Sequence, residues 1–221
     1  MSRPIRFEDY GAEIVLNLKV RIVVYMKLIT RQSSATFVLA SGSPRRKALL
    51  EQLGLEPDVI DPANIDESPK NRELPLDYAK RISLEKGTLI AERHAGAFVL
   101  AADTVVSVGR RILPKAEDEC DARDCLSLLS GRRHRVITGH VLVLPNGKVI
   151  KKIVTTAVKF KCLHPNEIDA YIASNDWKGK AGGYAIQGGA AVFIPWISGS
   201  YTNVVGLSLP EVTNMLVGNG F

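Results

Sequence analysis

Residues 37–54 constrain this chain most. Phe37-Val38-Leu39-Ala40 is a short apolar run suited to a buried strand, Ser41-Gly42-Ser43-Pro44 is a loop of small residues, and a helical pattern follows through Leu53. Ser43 stands where an N-cap belongs, Pro44 at the first helical position and Gly54 at the C-terminal stop. A buried strand that runs at once into a helix is the repeating unit of α/β folds. It also aims a helix N-terminus, with its free N–H groups and positive dipole end, at the loop. Ser41-Gly42-Ser43-Pro44-Arg45-Arg46 would therefore gather backbone donors and two guanidinium groups around an anion. The plainer alternative is a capped helix carrying two solvated arginines. No Gly-Lys-Ser/Thr follows, so the loop is not a Walker A motif.

Downstream, apolar spacing predicts a helix over Leu76–Arg93 with Gly87 as its weak point, and a long strand over Ala97–Val108. Glu117–Leu129 has a helical pattern that stops at Ser130-Gly131. Arg135–Leu144 and Val149–Leu163 then read as an antiparallel hairpin about Pro145-Asn146-Gly147-Lys148. A short helix over Pro165–Ala173, a glycine-rich segment to Gly189, a strand near Ala190–Ile197 and a closing helix after Pro210 complete the chain. There is no internal repeat and no low-complexity linker, so the expectation is one α/β domain with a mixed sheet over residues 36–221. Residues 1–35 form an N-terminal extension of unassigned role. Ile14, Leu16, Leu18, Val20, Ile22 and Val24 alternate there like a strand, although Met26 could equally be the natural start.

Charge narrows the partners. The net charge is +6, but residues 1–35 hold six Lys/Arg against three Asp/Glu, leaving 23 against 20 for the remainder. So small a surplus suits anionic small molecules as well as a polymer, and no stable nucleic-acid partner is expected. Asn17, Lys19, Arg21 and Lys27 break the apolar run Ile14–Ile29 short of a membrane span, and Glu8, Asp9 and Glu13 stand where a signal peptide would be basic. The three cysteines show no zinc-type or Cys-x-x-Cys spacing, which fits a reducing cytosol.

Asp103 interrupts an apolar strand, and a carboxylate in such a place must be paired or functional. At a strand end, where open α/β sheets bind ligands, it would hold a metal or take a proton from water. Otherwise it would close a strand and cap a turn. Lys86, Lys115 and the pair Asp66-Glu67 supply charges of both signs that a triphosphate and its Mg²⁺ require, although spacing does not make them converge. Gly179–Gly189 contains five glycines, so its backbone can approach a ligand, and Gln187 within it could read a base edge or fill the core. None of the four histidines has metal-ligand spacing.

In order, Leu39–Arg46, Ala102-Asp103-Thr104-Val105-Val106, Leu129-Ser130-Gly131, Lys180-Ala181-Gly182 with Ile186-Gln187-Gly188, and Gly199–Leu207 resemble the Maf family across residues 36–221. The resemblance implies an elongated Maf/ITPase-like α/β fold with a mixed sheet and a deep cleft between two lobes, a homodimer, and a divalent cation, Mg²⁺ or Mn²⁺. It implies hydrolysis of a nucleoside triphosphate to the monophosphate and pyrophosphate, in the service of nucleotide-pool house-cleaning in the cytoplasm. By position, Asp103 would be the proton acceptor. Ser41, Arg45, Arg46, Glu67, Lys86 and Lys115 match phosphate- and metal-site positions, Asp103 and Glu67 being the metal ligands. Arg45, Thr104 and Gln187 match positions tied to substrate choice. Gln187 points to the dTTP/UTP branch, since the 7-methyl-GTP branch usually carries an acid there. The family's link to arrest of septum formation leaves a non-hydrolysing regulator as an alternative. Trp177-Lys178-Gly179 and Ser208, where Pro is common, depart from the family pattern.

Overall fold

The computed structural model describes residues 29–221, so the alternating stretch Ile14–Val24 lies outside the described residues. Seven strands form one mixed sheet: β1 (Phe37–Leu39), β2 (Val59–Ile60), β3 (Phe98–Val108), β4 (Arg111–Leu113), β5 (Arg133–Val143), β6 (Val149–Lys159) and β7 (Trp196–Ser198). Their order is β2-β1-β3-β5-β6-β7, with β4 on β3. β1 runs parallel to β2 and β3, whereas β3, β5, β6 and β7 pair antiparallel. The predicted hairpin is thus the β5–β6 pair.

The helices are α1 (Pro44–Gln52), α2 (Pro75–Arg93), α3 (Glu119–Leu129), α4 (Pro165–Ala173), α5 (Tyr201–Val205) and α6 (Leu209–Val217). α2 covers one sheet face. Its Ile82 and Ile90 are fully buried with Val99, Ala101, Val105 and Ile137. The opposite face carries two separate cores. One packs α1 and α6 on Phe37, Leu39, Leu100 and Leu142, and the other packs α3 and α4 around Val136, Phe160 and Trp177. Two cores on one sheet make the two lobes, and the cleft opens between them.

Two glycines set how closely α2 lies on the sheet. A Cβ on Gly139 would stand 2.4 Å from the Ala79 carbonyl oxygen, and one on Gly87 would stand 2.8 Å from Val141 Cγ1. Gly87, expected to weaken the helix, instead admits the neighbouring strand.

The expected strand over Ala190–Ile197 is corrected. Gly189–Phe193 forms a 3₁₀ turn and only Trp196–Ser198 is extended. Ala190 and Phe193 are both buried, a three-residue period that a short apolar run does not distinguish from a strand. Asp176 Oδ2 holds the turn by accepting from the Gly189 N–H at 3.1 Å, and the Phe193 carbonyl accepts from Lys161 N–H at 2.9 Å. β6 also ends at Lys159 rather than Leu163, and α3 begins at Glu119, where Asp118 accepts from the Asp121 N–H. Residues 29–35 are docked on the domain. Ile29 is buried, and Arg31 pairs with Asp58 at 2.7 Å and lies over the Phe221 ring.

Candidate active site

The cleft exists because β3 is incompletely paired along one edge. β1 accompanies it over Phe98–Leu100 and β4 over Val106–Val108, leaving Ala101–Val105 without a strand partner on that side. Asp103 sits in this gap, embedded in the long strand as the sequence indicates and away from either strand end. Successive strand residues face opposite sides, so Asp103 reaches the α2 face while Thr104 reaches the other, and both border a cavity of about 340 Å³.

On the α2 side, four charges alternate in sign. Asp103 is buried, and its Oδ1 accepts from Lys86 Nζ at 2.7 Å. The same ammonium meets Glu67 Oε1 at 2.7 Å, and Glu67 Oε2 accepts from Lys115 Nζ at 2.5 Å. Burial alone would raise the Glu67 carboxyl, but the hydrogen bonds from Lys115 and Lys86 outweigh it and hold it below the ordinary range. Asp66 stays outside, bonded to the Ser68 N–H at the surface. Lys86 can reach Asp103 because α2 crosses β5 at Gly139, the cross-strand partner of Asp103.

On the other side, α1 presents its N-terminus. Ser43 occupies the N-cap position as expected, yet its hydroxyl makes no capping bond, so that helix end remains open to the cleft. Arg46 is held by three acceptors: Gly206 O at 3.0 Å, Ser41 Oγ at 2.8 Å and Thr104 Oγ1 at 3.2 Å. Burial lowers its pKa, and nearby Asp103 opposes that. Arg45 borders the cleft without an ion pair among the described residues. Burial lowers its pKa too, with Asp176 opposing.

The third wall is the glycine-rich segment. Lys115 and Ala181 form an isolated antiparallel bridge, and Gly182 N–H donates to Pro114 O at 2.9 Å, so Lys115 and Gln187 border the same space. The departure at Trp177 is accommodated away from the cleft, the ring being buried with Nε1–H on Ile172 O at 2.9 Å.

Apart from Asp66, the residues singled out from the sequence for the site, Ser41, Arg45, Arg46, Glu67, Lys86, Asp103, Thr104, Lys115 and Gln187, border this one cavity. Tyr184, Lys180, Val205 and Gly206 also line it and were given no role from the sequence, Lys180 figuring only in the motif Lys180-Ala181-Gly182. Only the motif Gly199–Leu207 signalled the last pair. The histidines are placed as structure. His134 meets Tyr184 Oη at 2.8 Å, His140 accepts from the Ser208 N–H at 2.9 Å, and burial pushes both down to about 4. Ser208 thus supplies an N–H that a proline would lack.

Among the described residues, no three His, Cys, Asp or Glu side chains converge as a metal cage. The fit is instead to a hard cation that takes one or two carboxylates and fills its shell with water and phosphate oxygens. Asp103 and Glu67 already share one cation, the Lys86 ammonium, at 2.7 Å each. No helix among the described residues is long and apolar enough to cross a membrane.

The family model for Maf-like protein matches residues 36–218. A dTTP/UTP pyrophosphatase of Paramagnetospirillum magneticum is 57% identical over 187 residues, covering 85% of this chain and 98% of the relative. One from Rhodospirillum rubrum is 55% identical over 190 residues, covering 86% and 90%. Among solved structures, a nucleoside-triphosphatase / dITP/XTP pyrophosphatase from Mycobacterium abscessus aligns with TM-score 0.39 and 18% identity, over 56% of this chain and 72% of that one, too remote to bear on the chemistry. With a model that runs from the first strand to the last helix, and relatives that agree at more than half of the aligned positions, this chain belongs to the Maf-like protein family.

Proposed function

We propose that this protein hydrolyses dTTP and UTP to the nucleoside monophosphate and pyrophosphate, a house-cleaning activity on the nucleotide pool. The observation that carries the reading is the alternating chain Asp103–Lys86–Glu67–Lys115 facing Arg45 and Arg46 across one cleft. A triphosphate brings about four negative charges, and two guanidiniums, two ammoniums and an open helix N-terminus offset them. Relatives of more than 50% identity that carry the name dTTP/UTP pyrophosphatase support the choice of base, as does a neutral Gln187 at the rim.

In the proposed reaction, the Asp103 carboxylate takes a proton from water as the water oxygen attacks the α-phosphorus. The bond from that phosphorus to the bridging oxygen breaks, and pyrophosphate departs with the electron pair. Arg45, Arg46, Lys86 and Lys115 stabilise the charge that develops on it. A Mg²⁺ or Mn²⁺ ion held by Asp103 and Glu67 would neutralise and orient the phosphate oxygens. Lys86, which joins the two carboxylates, keeps both aimed at the same point.

The catalytic unit in this reading is residues 36–221, with 1–35 an extension, working as a cytoplasmic homodimer on a free nucleotide. The test is pyrophosphate release from dTTP, UTP, CTP, 7-methyl-GTP and ITP, with Mg²⁺, Mn²⁺ or a chelator. Release from 7-methyl-GTP alone would reject the branch, and release from none would reject the enzyme. Asp103→Asn is expected to lose at least about 10³-fold in turnover while staying folded; ordinary turnover would refute the role of Asp103.

A further inference from the structure

Glu67 is carried by the connection from β2 to α2, residues 61–74, which has no helix or strand of its own. Among the described residues, positions 62–69 make no backbone-to-backbone hydrogen bond. Nor does the sheet back the segment closely, because Glu67, Ser68 and Pro69 share a second cavity, of about 470 Å³, with Ile112 and Pro114. Backbone with so few contacts opens readily unless side chains hold it.

The holding groups come from the first two turns of α2. Tyr78 Oη donates to the Glu67 carbonyl oxygen at 2.8 Å, and Arg81 Nη2 donates to the next carbonyl, Ser68 O, at 3.1 Å. Arg81 is itself fixed by its fork on Glu73, and the Asp66 carboxylate accepts from the Ser68 N–H at 2.9 Å. Tyr78 is buried with Ala79 and Ile82, and Ile65 packs on that cluster. Three residues apart, Tyr78 and Arg81 share a helix face. The helix that brings Lys86 to the Glu67 carboxylate therefore also holds the Glu67 backbone.

The two holds differ in kind. Both carboxylate oxygens of Glu67 are engaged by ammonium groups, Oε1 by Lys86 and Oε2 by Lys115. A divalent cation shared by Asp103 and Glu67 draws on the same lone pairs and weakens those contacts. The tether from Tyr78 acts on the backbone and competes with neither.

We propose that Tyr78 is a positioning residue for the cation site, its hydroxyl fixing the Glu67 backbone so that the carboxylate stays opposed to Asp103 when a divalent ion is bound. Tyr78 acts only through Glu67. This inference rests on the assignment of Asp103 and Glu67 as ligands made above, and it adds what keeps the more exposed of the two in place.

Tyr78→Phe removes the hydroxyl and keeps the buried ring. Arg81→Lys, which cannot serve both Glu73 and the Ser68 carbonyl, takes its place if the phenylalanine variant does not fold. The measurement is the Mn²⁺ affinity of the nucleotide-free protein, with free ion counted by electron paramagnetic resonance, for the native protein, Tyr78→Phe, Glu67→Gln and the double variant. Folding is checked by thermal unfolding. Partners that orient a metal ligand contribute about 10–100-fold in affinity, so Tyr78→Phe should weaken Mn²⁺ binding about tenfold. In the Glu67→Gln background the same change should alter affinity less than about twofold, because no carboxylate is left to position. A general disturbance of the cleft would weaken both backgrounds alike, and that result overturns the proposal. So does native affinity in folded Tyr78→Phe beside a loss in Glu67→Gln, which leaves the cation site standing. No loss in Glu67→Gln, or no Mn²⁺ binding by the native protein, would reject the cation site itself and this inference with it.

Discussion

Gly139→Ala tests the link between packing and the site most directly. The added Cβ would lie 2.4 Å from Ala79 O and 2.4 Å from Ser83 Oγ, both on α2. A carbon and an oxygen rest at about 3.3 Å or more, so the two surfaces must part by about 1 Å. One obstacle is a helix carbonyl that cannot rotate away, which puts the cost near the upper end of overpacking, about 3 kcal/mol. Lys86 lies one turn beyond Ser83 on the same helix face. A 1 Å retreat would open its 2.7 Å contact with Asp103 beyond hydrogen-bonding range. Misplacement on that scale costs about 100-fold in rate. Urea unfolding should show the midpoint lowered at unchanged slope, and pyrophosphate release from the folded protein should fall by roughly that factor. Gly87→Ala meets side-chain carbons and no backbone, Val141 Cγ1 at 2.8 Å, Val141 Cβ at 3.3 Å and Ala101 Cβ at 3.4 Å, and should cost about 1 kcal/mol with turnover largely kept. Wild-type stability and turnover in Gly139→Ala would refute the argument that this contact sets the height of α2.

Acid stability should follow the two buried histidines. Their folded values are about 4. An unfolded chain takes up these protons near 6.5 and the folded one does not, so stability is complete above about 6.5 and falls as pH drops toward 4. The loss between pH 7 and pH 5 is about 4 kcal/mol for the two together, and an unfolding midpoint flat over that range would exclude it. Glu73 forms a fork with Arg81, two contacts of 2.7 Å, which holds its carboxyl down at about 2. Its contribution is present above about 4.5 and disappears as pH falls toward 2. Glu73→Gln should therefore cost about 1–2 kcal/mol at neutral pH and almost nothing near pH 2, read from paired denaturation curves. A chain beginning at residue 36 should be about 2–3 kcal/mol less stable than one beginning at residue 29, because it loses the burial of Ile29 and the Arg31–Asp58 pair. Equal melting temperatures would show that this docked segment adds nothing.

The sequence by itself determined the local elements wherever one period or one punctuating residue dominates. Pro44 and Gly54 bound α1, the apolar period gives α2, and Pro145-Asn146-Gly147-Lys148 turns β5 into β6. It also supplied the charged residues of the site by their order along the chain. Ala190 and Phe193 were misread because five residues hold too little period to separate a strand from a 3₁₀ turn. There, the Asp176 bond to Gly189 and the burial of Phe193 decided the matter. α5 was missed for the same reason, its one signal being Ser200 as N-cap. Only the tertiary structure decided that the site opens in the middle of β3, because an edge gap depends on where two other strands end and begin. It alone placed Gly139 opposite Asp103 and brought the Thr104 and Thr138 hydroxyls together beside the Asn203 carbonyl. Chemistry along the chain can be read residue by residue. Which side chains share a cleft is a property of contacts between residues far apart in sequence.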